Sequence, residues 1–397
     1  MLDALILMPL ARQRGGSERM LVDLLRHAPA DAVQWQVVFF REGPLVDTVR
    51  EMGVEVHVVE AGRLRHLHRY MATVWAVVGL VRERGVDVVV SWSAKPHLYG
   101  SVVAQLTGVD AVWYQLGFPE GRHLGWMDRL ATLFPARGVI AVSRSTQEAQ
   151  SALWPQRPAR VVYPGVRTAQ FDPDGLPPPR QARARLGLPE EGPLVGIVGR
   201  LQHWKGMHTL VEAMPEIRRH HPEAHAIIVG GRDDAEPEYA SFLDRLIRDR
   251  GLDEAVIRAG FQSNVPLWMQ AMDVVVHASD REPFGIVIIE AMALEKPVVA
   301  TDEGGPEEII TEGRSGLLAP FEDDEALANK IRRYLENPGF ARRIGGTARE
   351  RALEFSPERY ARRFVGALRN LLSSPVGAAQ DGQTVSTSSD PVVIGRD

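Results

Sequence analysis

No cysteine occurs in the 397 residues, which excludes disulfides, thiolate metal sites and cysteine nucleophiles together. Lysine is scarce: only Lys95, Lys205, Lys296 and Lys330 stand among 46 lysines and arginines. Hydrophobic runs of membrane-spanning length are lacking. The longest, Met71 to Val81, falls short of the roughly 20 residues a helix needs to cross a bilayer. Positive charge ahead of the first apolar run is missing as well. Asp3 sits where an export signal wants a cation, and Arg12 and Arg14 follow Leu10 instead of preceding the run. That start reads as a first β-strand, so a cytoplasmic protein is expected. A formal net charge of -5 argues against nucleic acid as a partner. Finally, G-x-G-x-x-G is absent from the strand–helix junctions, which disfavours a dinucleotide-dependent dehydrogenase.

What is present is a rhythm of short apolar runs, turns and helical patterns. Leu5-Ile6-Leu7, Val37-Val38-Phe39, Val88-Val89-Val90 and Val139-Ile140-Ala141 belong to the first half. Val195-Gly196-Ile197-Val198, Ile227-Ile228-Val229, Val274-Val275-Val276 and Val298-Val299-Ala300 repeat the rhythm in the second. Continuous β-branched runs alternating with helices indicate parallel strands covered on both faces. The fold class is therefore α/β, with two Rossmann-like doubly wound parallel-sheet domains facing across a cleft. The first is expected over residues 1–171 and the second over 192–355. Between them Asp172-Pro173-Asp174-Gly175-Leu176-Pro177-Pro178-Pro179 reads as an interdomain connection, 172–191, because proline fixes φ and removes donors. Ser356-Pro357-Glu358 looks like an N-cap with proline at the first helical position. It opens a last helix to about Leu372, expected to return to the first domain. The segment 373–397, rich in small residues, is expected to be a disordered tail.

Ligands of such sheets bind at the carboxyl ends of the strands, so the loops there carry the candidates. Gly199-Arg200-Leu201-Gln202-His203-Trp204-Lys205-Gly206 follows one strand. Arginine can bridge two phosphate oxygens and lysine adds a point charge, which suits a pyrophosphate; a solvated turn is the plainer reading. Asp280-Arg281-Glu282-Pro283-Phe284-Gly285-Ile286 follows another and leads into a helix carrying Glu290 in an apolar run. A carboxylate there needs a polar partner, and ribose hydroxyls would serve. Glu282 could accept from sugar hydroxyls, and the amides of Phe284, Gly285 and Ile286 could meet phosphate or sugar oxygens. A capping carboxylate and a helix-surface glutamate are the alternative. Gly304-Gly305-Pro306-Glu307-Glu308 could expose amides at a helix start, or be an ordinary turn. Arg14-Gly15-Gly16-Ser17-Glu18-Arg19 permits close backbone approach after the first strand.

Taken in this order, the motifs resemble glycosyltransferase family 4, a retaining family of the GT-B fold. The carriers are Gly199-Arg200-Leu201 with Lys205-Gly206, Glu282-x7-Glu290 running into Ala291-Met292-Ala293, Gly304-Gly305-Pro306-Glu307-Glu308, the Gly15-Gly16 loop, and Tyr163-Pro164-Gly165-Val166. The resemblance implies a nucleotide-sugar donor gripped by the C-terminal domain and an acceptor on the N-terminal one. Glu282, Arg200 and Lys205 would be catalytic, the two cations on the donor diphosphate and Glu282 on the sugar. Glu290 would take the ribose, with Gly199, Phe284, Gly285, Ile286, Gly304 and Gly305 completing the donor site. Gly15 and Gly16 would line the acceptor side. No cofactor or metal is implied. A family histidine is missing: Val112-Trp113-Tyr114-Gln115-Leu116-Gly117 has Leu116 in its slot; Gln115 or His97 could stand in for it, although a lone histidine is more often structural. A hexose moving to a glycan, lipid-linked or small-molecule acceptor is the leading reading. A GT-B epimerase or phosphorylase, or a sugar-nucleotide-binding protein without turnover, are the alternatives.

Three further features invite other readings. Asp172-x-Asp174 lies in the proline-rich connection and reads as a turn; His220-His221 and His66-x-His68 read as surface histidines. Leu64, Leu67, Met71, Val74, Trp75, Val78 and Val81 form one helical stripe beside Arg63, Arg65, His66 and Arg69. It either packs on the N-terminal sheet or rests peripherally on the inner membrane face.

Overall fold

The computed structural model describes residues 1–11, 15–62, 64–119 and 125–374. The expectations for Arg12, Arg14, Arg63 and the tail from 375 onward lie outside them. The first half runs β1 (Leu2–Met8), α1 (Gly16–His27), β2 (Val33–Phe39), α2 (Pro44–Glu51), β3 (Glu55–Val58), α3 (Leu67–Arg84) and β4 (Val88–Trp92). It continues with α4 (Ala94–Thr107), β5 (Asp110–Gln115), α5 (Gly125–Thr132), β6 (Gly138–Ala141), α6 (Arg144–Ser151) and β7 (Ala159–Val161). The second half begins with α7 (Pro179–Leu186), β8 (Leu194–Val198), α8 (Met207–His220), β9 (His225–Val229), α9 (Pro237–Asp249) and β10 (Val256–Gly260). Then come α10 (Val265–Ala271), β11 (Val274–His277), α11 (Ile286–Ala293), β12 (Val298–Thr301), α12 (Gly305–Ile309) and β13 (Leu317–Ala319). Helices α13 (Asp324–Leu335), α14 (Pro338–Ala352) and α15 (Pro357–Ser373) close the chain.

The first sheet has the order β3-β2-β1-β4-β5-β6-β7 and the second β10-β9-β8-β11-β12-β13. Every strand pairing is parallel. Helices cover both faces, so the valine and isoleucine runs are buried on both sides, as in β4 and β11. The strand order reverses at β1/β4 and at β8/β11, the positions where open α/β sheets bind ligands. All four candidate loops follow a strand at or next to one of these two points.

The connection differs from its expected form. Only its first part is irregular; from Pro179 it folds as α7, whose Arg183 is buried and donates to Ala271 O (2.9 Å), Gly192 O (2.8 Å) and Asp273 (2.5 Å). Proline keeps an α-helix out of 172–178, which holds only a 3-10 turn at Pro173–Gly175, but starts one well at its own first position. Helix α15 is capped by Ser356, whose side chain accepts from Arg359 N. It packs on α1 and β6, with Phe364 against Trp35, Trp92 and Tyr114. Arg137 donates to the carbonyls of Leu371 (3.1 Å) and Leu372 (3.0 Å), holding the far end.

The α3 stripe splits. Val74, Val78 and Val81 are buried together with Val77, but Leu67 is 69% and Trp75 53% exposed, because those two point away from α4 and the sheet. Among the described residues no helix is long and apolar enough to cross a membrane.

Candidate functional site

The loop after β8 is shaped by its glycines. Gly199 N donates to Val229 O at 3.0 Å, so its amide stays in the sheet, and its carbonyl lies against Gly230. Gly206 holds φ at 67°, and a Cβ there would stand 1.9 Å from Ala278 O. Only glycine fits that approach, which presses the loop onto the end of β11; Asp280 N then donates to Trp204 O at 2.7 Å. The packing delivers Lys205 to Glu282: Nζ lies 2.6 Å from the carboxylate and 3.8 Å above the Trp204 ring. Arg200 is half exposed and pairs with Asp233 at 2.9 Å, yet it is near enough for its charge to weigh on Lys205.

Glu282 is buried and receives a second contact, from His277 Nε2 at 3.1 Å. Burial alone would push its carboxyl upward; the Lys205 charge and the His277 hydrogen bond outweigh that and hold it far below the usual carboxylate range. Gly304 and Gly305 clamp this loop from beneath. Gly305 N donates to Glu282 O at 2.8 Å, and a Cβ on Gly305 would meet the Phe284 backbone at 2.3 Å. This corrects the expected role of Gly305: its amide is spent on Glu282 and is not open to a ligand. Glu308, from the same motif, accepts from the amides of Arg144 and Ser145 (each 2.9 Å) and from Tyr163 Oη (2.8 Å). It therefore caps α6 across the domain boundary.

Helix α11 starts at Gly285, at φ 101°, with no side-chain cap. Its positive end thus faces the crevice. Gly16 of the opposite domain lies against it: a Cβ on Gly16 would be 2.7 Å from Ile286 Cδ1. Phe284 is buried and stacks on Tyr163 with centroids 5.7 Å apart. About one turn into α11, Glu290 is 2% exposed and pairs with Arg19 of α1. A buried carboxylate costs several kcal/mol unless it is met by charge or donors, and here the N-terminal domain meets it. Asp23 of the same helix pairs at 2.6 Å with Arg167, from the segment after β7.

The two substitutes for the family histidine fare differently. His97 does not reach the crevice. It is fully buried within α4, its ring stacked on Trp113 (5.2 Å, 6°) and Nε2 at 3.4 Å from Phe134 O. Burial pushes its imidazole down to about 3, so it is a neutral packing residue. Gln115 ends β5, fully buried, with both amide atoms unpaired among the described residues. The loop beyond it touches the donor loops, since Phe118 Cζ lies 3.3 Å from where a Gly304 Cβ would stand and Arg281 lies 4.6 Å over the Phe118 ring.

Sequence reasoning misses His277 and Arg19. His277 has one visible sign, a histidine closing an otherwise all-valine strand. Arg19 stands at the end of the Arg14–Arg19 loop motif, but nothing there points to its partner, which lies in the other domain.

Two family profiles match the chain: "Glycosyltransferase Family 4" over residues 14–170 and "Glycosyl transferases group 1" over 180–351. Over 396 residues the chain is 30% identical to D-inositol 3-phosphate glycosyltransferase of Frankia alni, covering 90% of this chain and 95% of that one. It is 36% identical to the protein of that name from a Nocardioides species over 221 residues, 53% of this chain and 48% of the relative. That match, like the one to the Corynebacterium urealyticum protein (52%), spans about half the relative's length. In structure the chain resembles Anabaena HepE, solved in complex with UDP and glucose, with a TM-score of 0.83 and 26% identity, covering 93% of this chain and 100% of that one.

Proposed function

The chain belongs to glycosyltransferase family 4, with the GT-B fold, and from that premise we propose that it moves a hexose-type sugar from a nucleotide diphosphate to a glycan, lipid-linked or small-molecule acceptor, with retention at the anomeric carbon. The observation that carries this reading is the Lys205–Glu282–His277 cluster at the carboxyl ends of β8 and β11. Breaking the anomeric bond leaves negative charge on the diphosphate and positive charge on the sugar. Lys205, Arg200 and the uncapped start of α11 stabilise the first without a metal, because fixed charges need no reorganisation as the bond breaks. A diphosphate arriving beside Lys205 competes with Glu282 for its ammonium. Glu282 keeps His277 and turns its free lone pairs to the sugar hydroxyls.

In this reading Glu282, Arg200 and Lys205 are catalytic, and Glu290 accepts from the ribose. The amides of Phe284, Gly285 and Ile286, with Gly199 and Gly304 beside them, complete the donor site. Gly15, Gly16 and Gln115 face the acceptor. HepE, which holds UDP and glucose, supports a nucleotide-sugar donor. We infer a cytoplasmic location with peripheral contact at the inner membrane face, supported by the exposed Leu67 and Trp75 of α3.

A panel of UDP-, GDP- and ADP-sugars tests the donor assignment by thermal unfolding. One nucleotide class should stabilise the chain, by about 2.7 kcal/mol at a hundred times its Kd. Product NMR should then show the donor's anomeric configuration. Stabilisation by none of the sugars, or an inverted product, overturns the reading.

A further inference from the structure

A second cluster of ligating side chains lies beside the diphosphate loop, outside the groups that face the crevice. His203 and His208 flank Lys205 in sequence, and Glu322 comes from the loop after β13. The ligand-capable atoms of these three residues lie within 4.8 Å of one another. His208 Nε2 is 3.7 Å from Glu322 Oε1, and the two imidazole centroids are 4.5 Å apart. Nδ1 of His208 is 2.8 Å from Tyr239 Oη, and the His208 backbone N–H donates to the same oxygen at 3.2 Å. The phenolic oxygen has two lone pairs, enough to accept both.

We propose that His203, His208 and Glu322 form a binding site for a divalent transition metal of the zinc type. Two imidazoles and one carboxylate are the donor set that zinc prefers, and they leave a fourth position for water. Magnesium and calcium, which want oxygen donors, fit this set poorly. Ligand atoms around a tetrahedral ion with bonds of about 2.1 Å are roughly 3.4 Å apart, so the His208–Glu322 pair is nearly at its final spacing. Tyr239 supplies the outer hydrogen bond that fixes a ligating imidazole, with Nδ1–H donating and the Nε2 lone pair left for the ion. Phe242 walls the site at 6.4 Å from His203 and 6.2 Å from His208. Two histidines this close repel each other when protonated; a cation between them turns that repulsion into shared coordination. The ion would tie the short turn His203–Lys205 to the first turn of α8 and so stiffen the segment that carries Lys205. This site does not depend on the donor reading, because its ligands are separate from the groups assigned to the sugar nucleotide.

The test uses the full chain, freed of any affinity tag and stripped with chelator. Calorimetry with Zn2+ and the visible absorption of bound Co2+ should both report one saturable equivalent, and Zn2+ should raise the melting temperature. His203→Ala and His208→Ala should weaken binding at least roughly 100-fold, and Glu322→Gln and Tyr239→Phe roughly tenfold. His66→Ala/His68→Ala should leave it unchanged. His203 is exposed, so its variant should melt like the parent in chelator. No saturable binding by the parent, or equal affinity in the His203 and His208 variants, overturns the proposal.

Discussion

The two sheets share one architecture and put it to opposite uses at their carboxyl ends. In the second domain the loops after β8 and β11 bring Lys205, Glu282 and His277 within hydrogen-bonding distance, so buried charge is kept and paired. In the first domain the corresponding region is built from Gly15, Gly16 and the buried amide of Gln115. One of its buried titratable groups, His97, is held neutral in an aromatic stack. Fold therefore does not decide chemistry. What decides it is whether a loop presses a cation onto a carboxylate or buries an ionisable group with no opposite charge beside it.

The largest effect should come from separating the pair. Lys205→Ala or Glu282→Ala should lower kcat for sugar transfer about 10²–10³-fold. Each should also destabilise the fold by about 3 kcal/mol, because the remaining charge loses its partner. The double variant should regain much of that stability and none of the rate, as denaturation and kinetics measured on all three proteins would reveal. Rates equal to the parent's would mean the cluster is structural.

The neutral histidine sharpens the contrast through pH. His97 titrates near 3 folded and near 6.5 unfolded, so the unfolded chain binds the extra proton as pH falls between those values. Its contribution is complete above about 6.5 and declines below, by about 2 kcal/mol at pH 5. Denaturation of His97→Asn should show a shallower acid slope than the parent by that amount; parallel slopes would place a charge on the buried ring. The smallest effect is expected at Glu290. Glu290→Gln keeps the size and loses the charge, and should raise the donor KM about tenfold with kcat little changed, the cost of one charge-assisted hydrogen bond. A fall in kcat alone would assign Glu290 to the transition state.

Much of this molecule is legible in its residues. The valine runs mark the strands, the glycine-bearing loops that follow them mark the ligand end, and Glu282-x7-Glu290 marks a loop carboxylate and a helix carboxylate two turns apart. Where the residues mislead, the cause is shared. His97 suggests itself for the crevice because the family histidine is missing, and Gly305 suggests an open amide because paired glycines before a proline start a helix. Neither inference contains what packs on top.

Periodicity and turn chemistry act over a few residues, which is why local elements and their order follow from the amino-acid sequence alone. Only the assembled tertiary structure could decide that Lys205 meets a carboxylate 77 residues away, that Arg19 of one domain neutralises Glu290 of the other, and that Glu308 caps a helix across the boundary. These pairings depend on where crossovers place the ends of strands and on how the domains close, and no spacing along the chain records either.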